Sequence, residues 1–551
     1  MASFAEQLDA QLATFFSTWN VYTTVIAIAL AAYVIYPLIF LEEPDTHPLL
    51  LARQARSAPV RQPGESAVYR SVESTYGYPL RSGLNVKDAD APRWSQGRDG
   101  DLRDVWRSAV AGAKESGKSL ITTVYGKDEP QDHSVGEVSK SINVIGAHLQ
   151  KSGKKVAIYL PNCVEYLSTV FAASFYGLSI VLLPYNQPHQ VIVSLLEETG
   201  ADCLVAEAGS LPLDLLSKSK INAFVWVVAQ SSRHMDWTGE KSAAKIATWH
   251  DLVERTNVSD DLPKNDIMPG NLTQIWMTKQ GVPGKIVEFT QGNLVAAIAG
   301  LGLAIPQRQR LTQADLVLAA DSFSSTYVLC NALTALYSHA SLAINSVAGP
   351  GVELALAART ISPTVIIASA ETMEAMNRQE KATISNPIQR YAHSRRCQTQ
   401  AAGRLSPDSW LLKLLSPRAP TTGTSTNRLR LILVAERLAT DCPALSSQTL
   451  TDLRIFTQAR ICYALTAPDV AGAVAQTNLY DYRVVQTGNK YAHFGAPLAC
   501  CEVMLTSADD KDVDGATPRG EINVIGPSVV GGRVKLGVRG QIREDCTLAY
   551  A

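Results

Sequence analysis

The 551-residue sequence has almost no net charge, few charged residues and no paired cysteine or histidine motif. Its formal net charge is −1 and charged residues make up 18% of the chain, which leaves no basic footprint of the kind that binds nucleic acid. The nine cysteines and nine histidines show no zinc or redox spacing, so the sequence predicts reduced core thiols and no metal site. No Gly-x-Ser-x-Gly motif surrounds the histidine and serines at 337–341, which argues against serine hydrolase chemistry.

A long uncharged run near the N-terminus predicts a membrane anchor. Val21 to Leu41 contains 21 residues without a charge, and a helix of that length, at about 1.5 Å per residue, would cross a hydrocarbon core of about 30 Å. Residues 1–20 contain no Lys or Arg, whereas Arg53, Arg56 and Arg61 follow the run. The sequence therefore predicts a transmembrane helix over 21–41 with a cytosolic C-terminal body. A cleaved signal peptide is the alternative.

An uncleaved N-terminal anchor with a cytosolic body is typical of a single-pass protein of the endoplasmic reticulum membrane, with the mitochondrial outer membrane and lipid droplets as alternatives. The lipid bilayer is then a predicted partner.

The rest of the chain alternates short apolar runs with helix-length segments. Residues 42–104 are rich in Pro, Gly, Arg and Asp, which predicts a tether. Residues 105–480 repeat a β-α-β pattern, which favours an α/β fold with mainly parallel sheets. Within them, 377–428 is polar and broken by four prolines and is predicted to be an insertion or mobile loop. Residues 481–551 read as short strands joined by glycine turns, a small β-rich subdomain.

Several phrases occur in an order that resembles a known family. They are "VAIYLPNCVEYLSTVFAASFYGLSIVLLPYN", "TQGNL", "SPTVIIASAETMEAM", "FGAPL" and "RGEINVIGPSV". Over roughly Asp104 to Ala551 the chain resembles the large N-terminal domain of the adenylate-forming acyl-CoA synthetases, or AMP-binding ligases. The resemblance implies the use of ATP, Mg²⁺ and coenzyme A: a carboxylate attacks the α-phosphate of ATP, and a thiol then displaces AMP. It also implies that the mobile C-terminal domain of the family, which would follow Ala551, is absent.

The phosphate-binding loop of the family, Tyr-Thr-Ser-Gly-Thr-Thr-Gly-x-Pro-Lys, aligns with "WMTKQGVPGK" when "TQGNL" is the anchor. Thr278 then replaces the serine and Lys285 matches the lysine, while a one-residue shift makes Gly281 a loop glycine. The other glycines and hydroxyls are missing. Because such a loop wraps phosphates with its backbone N–H groups and hydroxyls, this match is incomplete.

The Tyr-Gly-x-Thr-Glu turn of the family aligns with Tyr463 to Ala467. Tyr463 and Thr466 match, but the glutamate that holds Mg²⁺ in the family is replaced by Ala467, which has no oxygen to bind a cation. Asp469, two residues later, is an alternative ligand.

Two further positions of the family pattern also differ. The Gly-Gly pair beside the adenine aligns with residues 434–436, which end in the bulky and charged Glu436. The Thr-Gly-Asp turn that binds the ribose aligns with residues 536–538, where Val538 replaces the aspartate.

These differences predict a protein whose ATP and Mg²⁺ site has degenerated, with a vestigial nucleotide site at Thr278, Gly281, Lys285, Tyr463 and Thr466, no metal ligand and no confident catalytic residue. Such a pseudoenzyme would serve as a lipid-binding or scaffold subunit in lipid metabolism, with a fatty acyl ligand or a protein partner. The first alternative is a divergent, active long-chain fatty-acid:CoA ligase with Lys285 and Thr466 on the phosphates. The second is a structural membrane assembly factor.

Overall fold

The computed structural model divides the chain into two units, Met1–Thr46 and His47–Ala551. The structure describes residues 13, 17, 19–39, 43–87, 90–92, 94–118, 120–124, 129–216, 220–233, 235, 245–255, 259–264, 266–358, 360–405, 428–441, 444–484 and 490–551.

The described α-helices are numbered in chain order. They are α1 (Val21–Ile39), α2 (Pro48–Ala52), α3 (Leu102–Ser116), α4 (Val135–Ser152), α5 (Val164–Tyr176), α6 (His189–Thr199), α7 (Leu213–Leu216), α8 (Trp249–Arg255), α9 (Gln291–Ala304), α10 (Thr326–Tyr337), α11 (Leu354–Ala357), α12 (Ala370–Thr383), α13 (Pro387–Ala401), α14 (Ser447–Thr457) and α15 (Asp510–Val513).

The described strands are numbered in the same way. They are β1 (Ala55–Ser57), β2 (Tyr69–Ser71), β3 (Ile121–Val124), β4 (Gln131–His133), β5 (Lys155–Tyr159), β6 (Ser179–Leu182), β7 (Cys203–Glu207), β8 (Ala223–Val227), β9 (Lys245–Thr248), β10 (Leu272–Lys279), β11 (Val282–Phe289), β12 (Leu316–Ala319), β13 (Ser341–Asn345), β14 (Val365–Ser369), β15 (Leu431–Arg437), β16 (Arg460–Thr466), β17 (Ala475–Gln476), β18 (Ala496–Pro497), β19 (Glu502–Thr506), β20 (Arg519–Ile525), β21 (Arg533–Ile542) and β22 (Leu548–Tyr550).

The strands form three sheets, and the two larger ones are mainly parallel, as predicted. The seven-stranded sheet has the order β11-β10-β6-β5-β7-β8-β9, and only β11 is antiparallel to its neighbour. The nine-stranded sheet has the order β18-β17-β16-β15-β14-β12-β13-β3-β4, with parallel pairing from β16 to β3. The predicted α/β fold of the family, with two such sheets and a small β-rich part, is therefore confirmed.

The parallel sheets are buried on both faces, because crossover helices cover them. Along β5, Val156 and Ile158 belong to one apolar core, whereas Ala157 and Tyr159 belong to a second core on the other face, which also includes α6. This two-sided burial explains why the strands read as continuous apolar runs in the sequence.

The six-stranded antiparallel sheet has the order β1-β2-β19-β20-β21-β22. Its last four strands lie in the predicted β-rich subdomain. Its first two come from residues 42–104, the predicted tether, so a part of that segment is paired in a sheet.

Part of the predicted loop over 377–428 is helical. Helix α12 ends inside it at Thr383, and α13 follows from Pro387 to Ala401. Pro387, which looked like a helix breaker, stands at the first position of α13, where proline is favourable. Asn386 precedes it and forms a capping box with Gln389. Residues 406–427 lie outside the described part of the chain.

Helix α1 is the described part of the run predicted to cross a membrane. It contains 19 residues, and residues 40 and 41 of the predicted span lie outside the described part of the chain. Among the described residues, no helix is both long and apolar enough for a membrane span. The structure therefore does not support the predicted transmembrane helix over 21–41.

The described cysteines are free thiols, as the sequence predicted. Six of them are buried, while Cys397 and Cys546 are half-buried.

Candidate functional site

A cavity of about 460 Å³ lies where strands of both parallel sheets end. Its wall is formed by β10, the loops that follow β6, β12 and β13, the first turn of α12 and the end of β15. Ligands of open α/β sheets bind at the carboxyl ends of the strands, in pockets of roughly 300–1,000 Å³. The position and the volume of this cavity therefore make it the candidate ligand site.

The stretch that the sequence aligned with a phosphate-binding loop forms a tight hairpin instead. Strands β10 and β11 pair as far as Lys279 and Val282, so Gln280 and Gly281 alone make the turn. Gly281 has a φ of 76°, a conformation that glycine adopts without strain. A two-residue turn is too short for its backbone to surround a triphosphate.

The polar groups of this hairpin already have partners within the protein. The Gly281 N–H donates to Gln187 Oε1 at 2.7 Å, and the Thr278 hydroxyl donates to the carbonyl of Val282 at 3.2 Å. Lys279 Nζ lies 2.7 Å from a carboxylate oxygen of Asp441. A phosphate would have to displace each of these contacts.

Lys285 and Asp469, which the sequence offered separately as a phosphate ligand and a magnesium ligand, neutralise each other. The ammonium lies 2.7 Å from Oδ1 and 2.8 Å from Oδ2 of Asp469. The lysine side chain is 57% exposed and the aspartate 14% exposed. The carboxylate of Asp469 thus binds the ammonium group of Lys285, whereas the sequence had offered it as a ligand for Mg²⁺.

Glu436 is buried in the region that the family alignment assigned to the adenine. It is 2% exposed, and the Tyr463 hydroxyl donates to its Oε2 at 2.6 Å. The same hydroxyl accepts the Leu445 N–H at 2.9 Å. Burial raises the pKa of Glu436 from 4.5 to about 7, although the hydrogen bond from Tyr463 partly opposes this rise. A buried carboxyl group therefore lies at the position that the family alignment assigned to the adenine contact.

Thr466 is also occupied by an internal contact. It is 3% exposed and its hydroxyl donates to the backbone carbonyl of Glu436 at 2.7 Å. Ala467 is buried beside it at 1% exposure. This turn therefore presents neither a free hydroxyl nor a carboxylate to the cavity.

Residues 536–538, expected to form the ribose-binding turn, lie inside strand β21. Between the pairs Glu521–Arg539 and Asn523–Lys535, β20 has one residue and β21 has three. The extra residues make a bulge, and Gly537 adopts a φ of 69° within it. Val538 packs against the main apolar core. These three residues therefore form a bulge within a strand, and the cross-strand pairing continues on both sides of them.

Arg437 is the principal cation of the cavity wall. Its guanidinium lies over the Trp276 ring, 5.2 Å from the ring centroid, and Nη2 donates to the Met277 carbonyl at 3.2 Å. Its Nε is buried and has no hydrogen-bond partner. The contacts to β10 fix the plane of the guanidinium at the cavity.

Two further buried polar groups line the same cavity. Gln274 is 2% exposed, and its Oε1 has no hydrogen-bond partner. Asp321 is also 2% exposed, and burial raises its pKa above the usual value, while the nearby Arg437 acts in the opposite direction. An unpartnered buried amide oxygen costs free energy unless a ligand or water bonds to it.

Of the five residues predicted for the nucleotide site, only Thr278 lines this cavity. Gly281 lies in the hairpin turn, Lys285 in the ion pair, and Tyr463 and Thr466 in the buried contacts around Glu436. Sequence reasoning missed Gln274 and Arg437. Arg437 could have been found, because it stands at the end of an apolar strand and the ends of such strands carry ligand contacts.

The comparisons agree with this fold. The sequence model of a family described as "AMP-binding enzyme" matches residues 111–532. Among proteins with curated descriptions, none matches the chain.

Solved structures with the same fold include two CoA ligases and one N-terminal domain. A long-chain-fatty-acid-CoA ligase (FadD1) from Archaeoglobus fulgidus is 15% identical with a TM-score of 0.58, over 86% of each chain. The N-terminal domain of FACL13 from Mycobacterium tuberculosis is 12% identical with a TM-score of 0.57, over 82% of this chain and 99% of that one. A benzoate CoA ligase from Burkholderia xenovorans LB400 is 13% identical with a TM-score of 0.56, over 82% and 80%. At these identities the likeness concerns the fold.

Proposed function

The chain belongs to the AMP-binding enzyme family, and on that premise we propose that it no longer forms adenylates and instead works as a ligand-binding subunit. The observation that carries the proposal is the ion pair between Lys285 and Asp469, in which both carboxylate oxygens lie within 2.8 Å of the ammonium. This pair takes up the lysine that would bind a phosphate and Asp469, the carboxylate that the sequence offered as an alternative ligand for Mg²⁺.

Two more features support the loss of adenylation. The hairpin turn at Gln280 and Gly281 is too short to wrap phosphates, and the buried Glu436 occupies the region assigned to adenine. Loss of two or three electrostatic contacts to a transition state, at about 3 kcal/mol each, lowers a rate on the order of 10⁴- to 10⁶-fold.

The ligand that the cavity fits best is a small polar acid. The wall combines Arg437 and Gln274 with serine hydroxyls, and it includes Asp321 and Glu371 as acceptors for polar groups of the ligand. A separate, more apolar cavity between α9 and α10 has a volume of about 210 Å³, which is below the range of roughly 300–1,000 Å³ for sites that bury a drug-sized ligand. The two cavities therefore favour a short or aromatic carboxylate over a fatty acyl ligand.

The names of the fold relatives include both acid classes, since one acts on long-chain fatty acids and another on benzoate. The side chains of the cavity therefore decide between them.

Calorimetric titration with ATP and Mg²⁺, together with a pyrophosphate-release assay over a panel of carboxylic acids, tests the loss of adenylation. We expect no saturable ATP binding up to millimolar concentration and no pyrophosphate. Micromolar ATP binding that disappears in Lys285→Met but persists in Lys535→Met would overturn the proposal and favour a divergent fatty-acid:CoA ligase. Lys535 serves as the control, because it is an exposed lysine on β21 and does not line the cavity.

Thermal shift and calorimetry with benzoate, short-chain acids and long-chain fatty acids test the ligand class. We expect the small acids to bind and Arg437→Gln to weaken them about 10- to 100-fold, since a hydrogen bond to a charged group contributes roughly 1.5–3 kcal/mol. The exposed Arg539→Gln serves as the control. Saturable binding of long-chain acids alone would contradict the polar-acid assignment and support the lipid-binding prediction.

Binding to a bilayer, assembly with a protein partner, the structural assembly role and the location in the cell stay predictions from the sequence.

A further inference from the structure

A cluster of three side chains that can bind a metal lies on two helices, away from the candidate cavity. His393 and Cys397 lie on α13, and Asp452 lies on α14. The histidine and the cysteine are four residues apart, so one face of the helix carries both. Asp452 approaches them from the neighbouring helix with 1% of its side chain exposed.

The donor atoms are close enough for one ion. The histidine nitrogen, the cysteine sulfur and a carboxylate oxygen all lie within 4.8 Å of one another, and His393 Nε2 is 2.9 Å from Asp452 Oδ1. A tetrahedral zinc ion holds nitrogen and oxygen ligands at about 2.0–2.2 Å and sulfur at about 2.3 Å. At these bond lengths the ligand atoms around one ion lie only a few ångströms apart, as the three donor atoms do here.

Neighbouring side chains hold the three donors in place. Gln448 Nε2 donates to Asp452 Oδ1 at 2.8 Å and to Cys397 Sγ at 3.9 Å. The His393 ring stacks on Phe456 at a centroid distance of 5.5 Å. Such outer contacts orient the ligands of metal sites.

The simplest competing explanation is a structural ion-pair network, because Lys381 Nζ lies 2.7 Å from Asp452 Oδ2. That contact uses the carboxylate oxygen opposite to the one that faces His393. Lys381 can therefore keep Oδ2 while Oδ1 binds an ion. A simple ion pair with Lys381 also requires neither a thiol nor a histidine on the adjoining turn.

We propose that His393, Cys397 and Asp452 form a binding site for a zinc-like transition-metal ion. One nitrogen, one thiolate and one carboxylate suit Zn²⁺, whereas Mg²⁺ and Ca²⁺ prefer oxygen ligands alone. When the ion binds, the thiol proton of Cys397 and the proton that His393 shares with Asp452 are both released to solvent. His393 and Cys397 are half-buried, so a water molecule can reach the fourth position.

The ion would cross-link α13 to α14. Helix α14 connects β15 with β16, the strands that carry Arg437 and Thr466. Metal binding thus stabilises the second unit of the chain by mass action, by RT ln(1 + c/Kd), where c is the concentration of the free ion.

Metal titration of the full-length protein after chelator treatment tests the site. We expect one Zn²⁺ per chain by calorimetry, and a Co²⁺ complex whose thiolate-to-cobalt absorption band Zn²⁺ abolishes and excess Mg²⁺ leaves unchanged. The band should be lost in Cys397→Ser and kept in Cys546→Ser, a matched variant because Cys546 is also half-buried and free. Gln448→Leu should weaken Zn²⁺ binding about 10- to 100-fold, the usual effect of removing an outer contact.

Two results would overturn the assignment: no Zn²⁺ uptake at micromolar concentration by the wild type, or an equal cobalt band in Cys397→Ser. Far-UV circular dichroism identifies any variant that fails to fold. Because serine differs from cysteine by a single atom, Cys397→Ser decides the question even if Asp452→Asn, the second ligand variant, does not fold.

Discussion

Replacing Glu436 by glutamine should stabilise the protein at pH 8 and have almost no effect at pH 4. Glu436 is 2% exposed, and burial raises its pKa from 4.5 to about 7. Above pH 7 the carboxylate is charged in both the folded and the unfolded state, and its charge lowers the free energy of unfolding by about 3 kcal/mol, at roughly 1.4 kcal/mol per pKa unit. Below pH 4.5 the group is protonated in both states and this cost vanishes.

The sign follows from proton binding. Between pH 4.5 and 7 the folded state binds more protons than the unfolded state, so the contribution of Glu436 to stability falls as the pH rises. Glutamine does not titrate, and its amide oxygen can still accept the hydrogen bond from Tyr463. The variant should therefore lack this pH dependence.

Thermal unfolding midpoints of wild type and Glu436→Gln, measured from pH 4 to 8.5, check the reasoning. The midpoint difference should grow through the window from pH 4.5 to 7 and then level off. Glu544→Gln, at an exposed position, controls for the loss of one negative charge. A difference that is constant over the whole pH range, or a variant less stable than wild type at pH 8, would refute the assignment of a buried carboxyl group with a raised pKa.

Two other substitutions test the fold around the site. Gly537→Ala should lower the free energy of unfolding by roughly 1–2 kcal/mol, because an alanine is strained in the left-handed backbone conformation of this position. Gly349→Ala should change the free energy of unfolding little, because the new methyl group also meets open space but the backbone has no positive φ. Equal thermal midpoints for the two variants would contradict the bulge. Arg483→Met should cost about 3 kcal/mol, since it removes a cation 2.5 Å from the fully buried Asp481; an unchanged urea midpoint would show that the pair contributes nothing.

The sequence predicted the sheets and their helices well, because each strand that is buried on two faces must be apolar along its length. Such patterns depend on residues that are close together in the chain. The hairpin at 272–289 was not predicted, because that stretch was aligned with a phosphate-binding loop, and its antiparallel pairing is seen only in the structure.

The ion pair between Lys285 and Asp469 could not be predicted in the same way. Lys285 and Asp469 are 184 residues apart, and each alone resembled a ligand for the nucleotide or its metal. Their mutual neutralisation depends on how β11 and the end of β16 meet in the fold. The cluster of His393, Cys397 and Asp452 was also not predicted, because one His–Cys pair is no zinc motif by itself and Asp452, 59 residues after His393, joins the pair only in the fold.

The hairpin of β1 and β2 has a consequence for how the protein is made. Arg70 pairs with Glu502, 432 residues later, so the edge of β2 stays unpaired until its partner has left the ribosome. At about 5–20 residues per second this takes on the order of 20 to 90 s. A two-stranded hairpin alone is at best marginally stable. The nascent chain therefore has to keep an open strand edge from aggregating during most of its synthesis, and the six-stranded sheet is completed last.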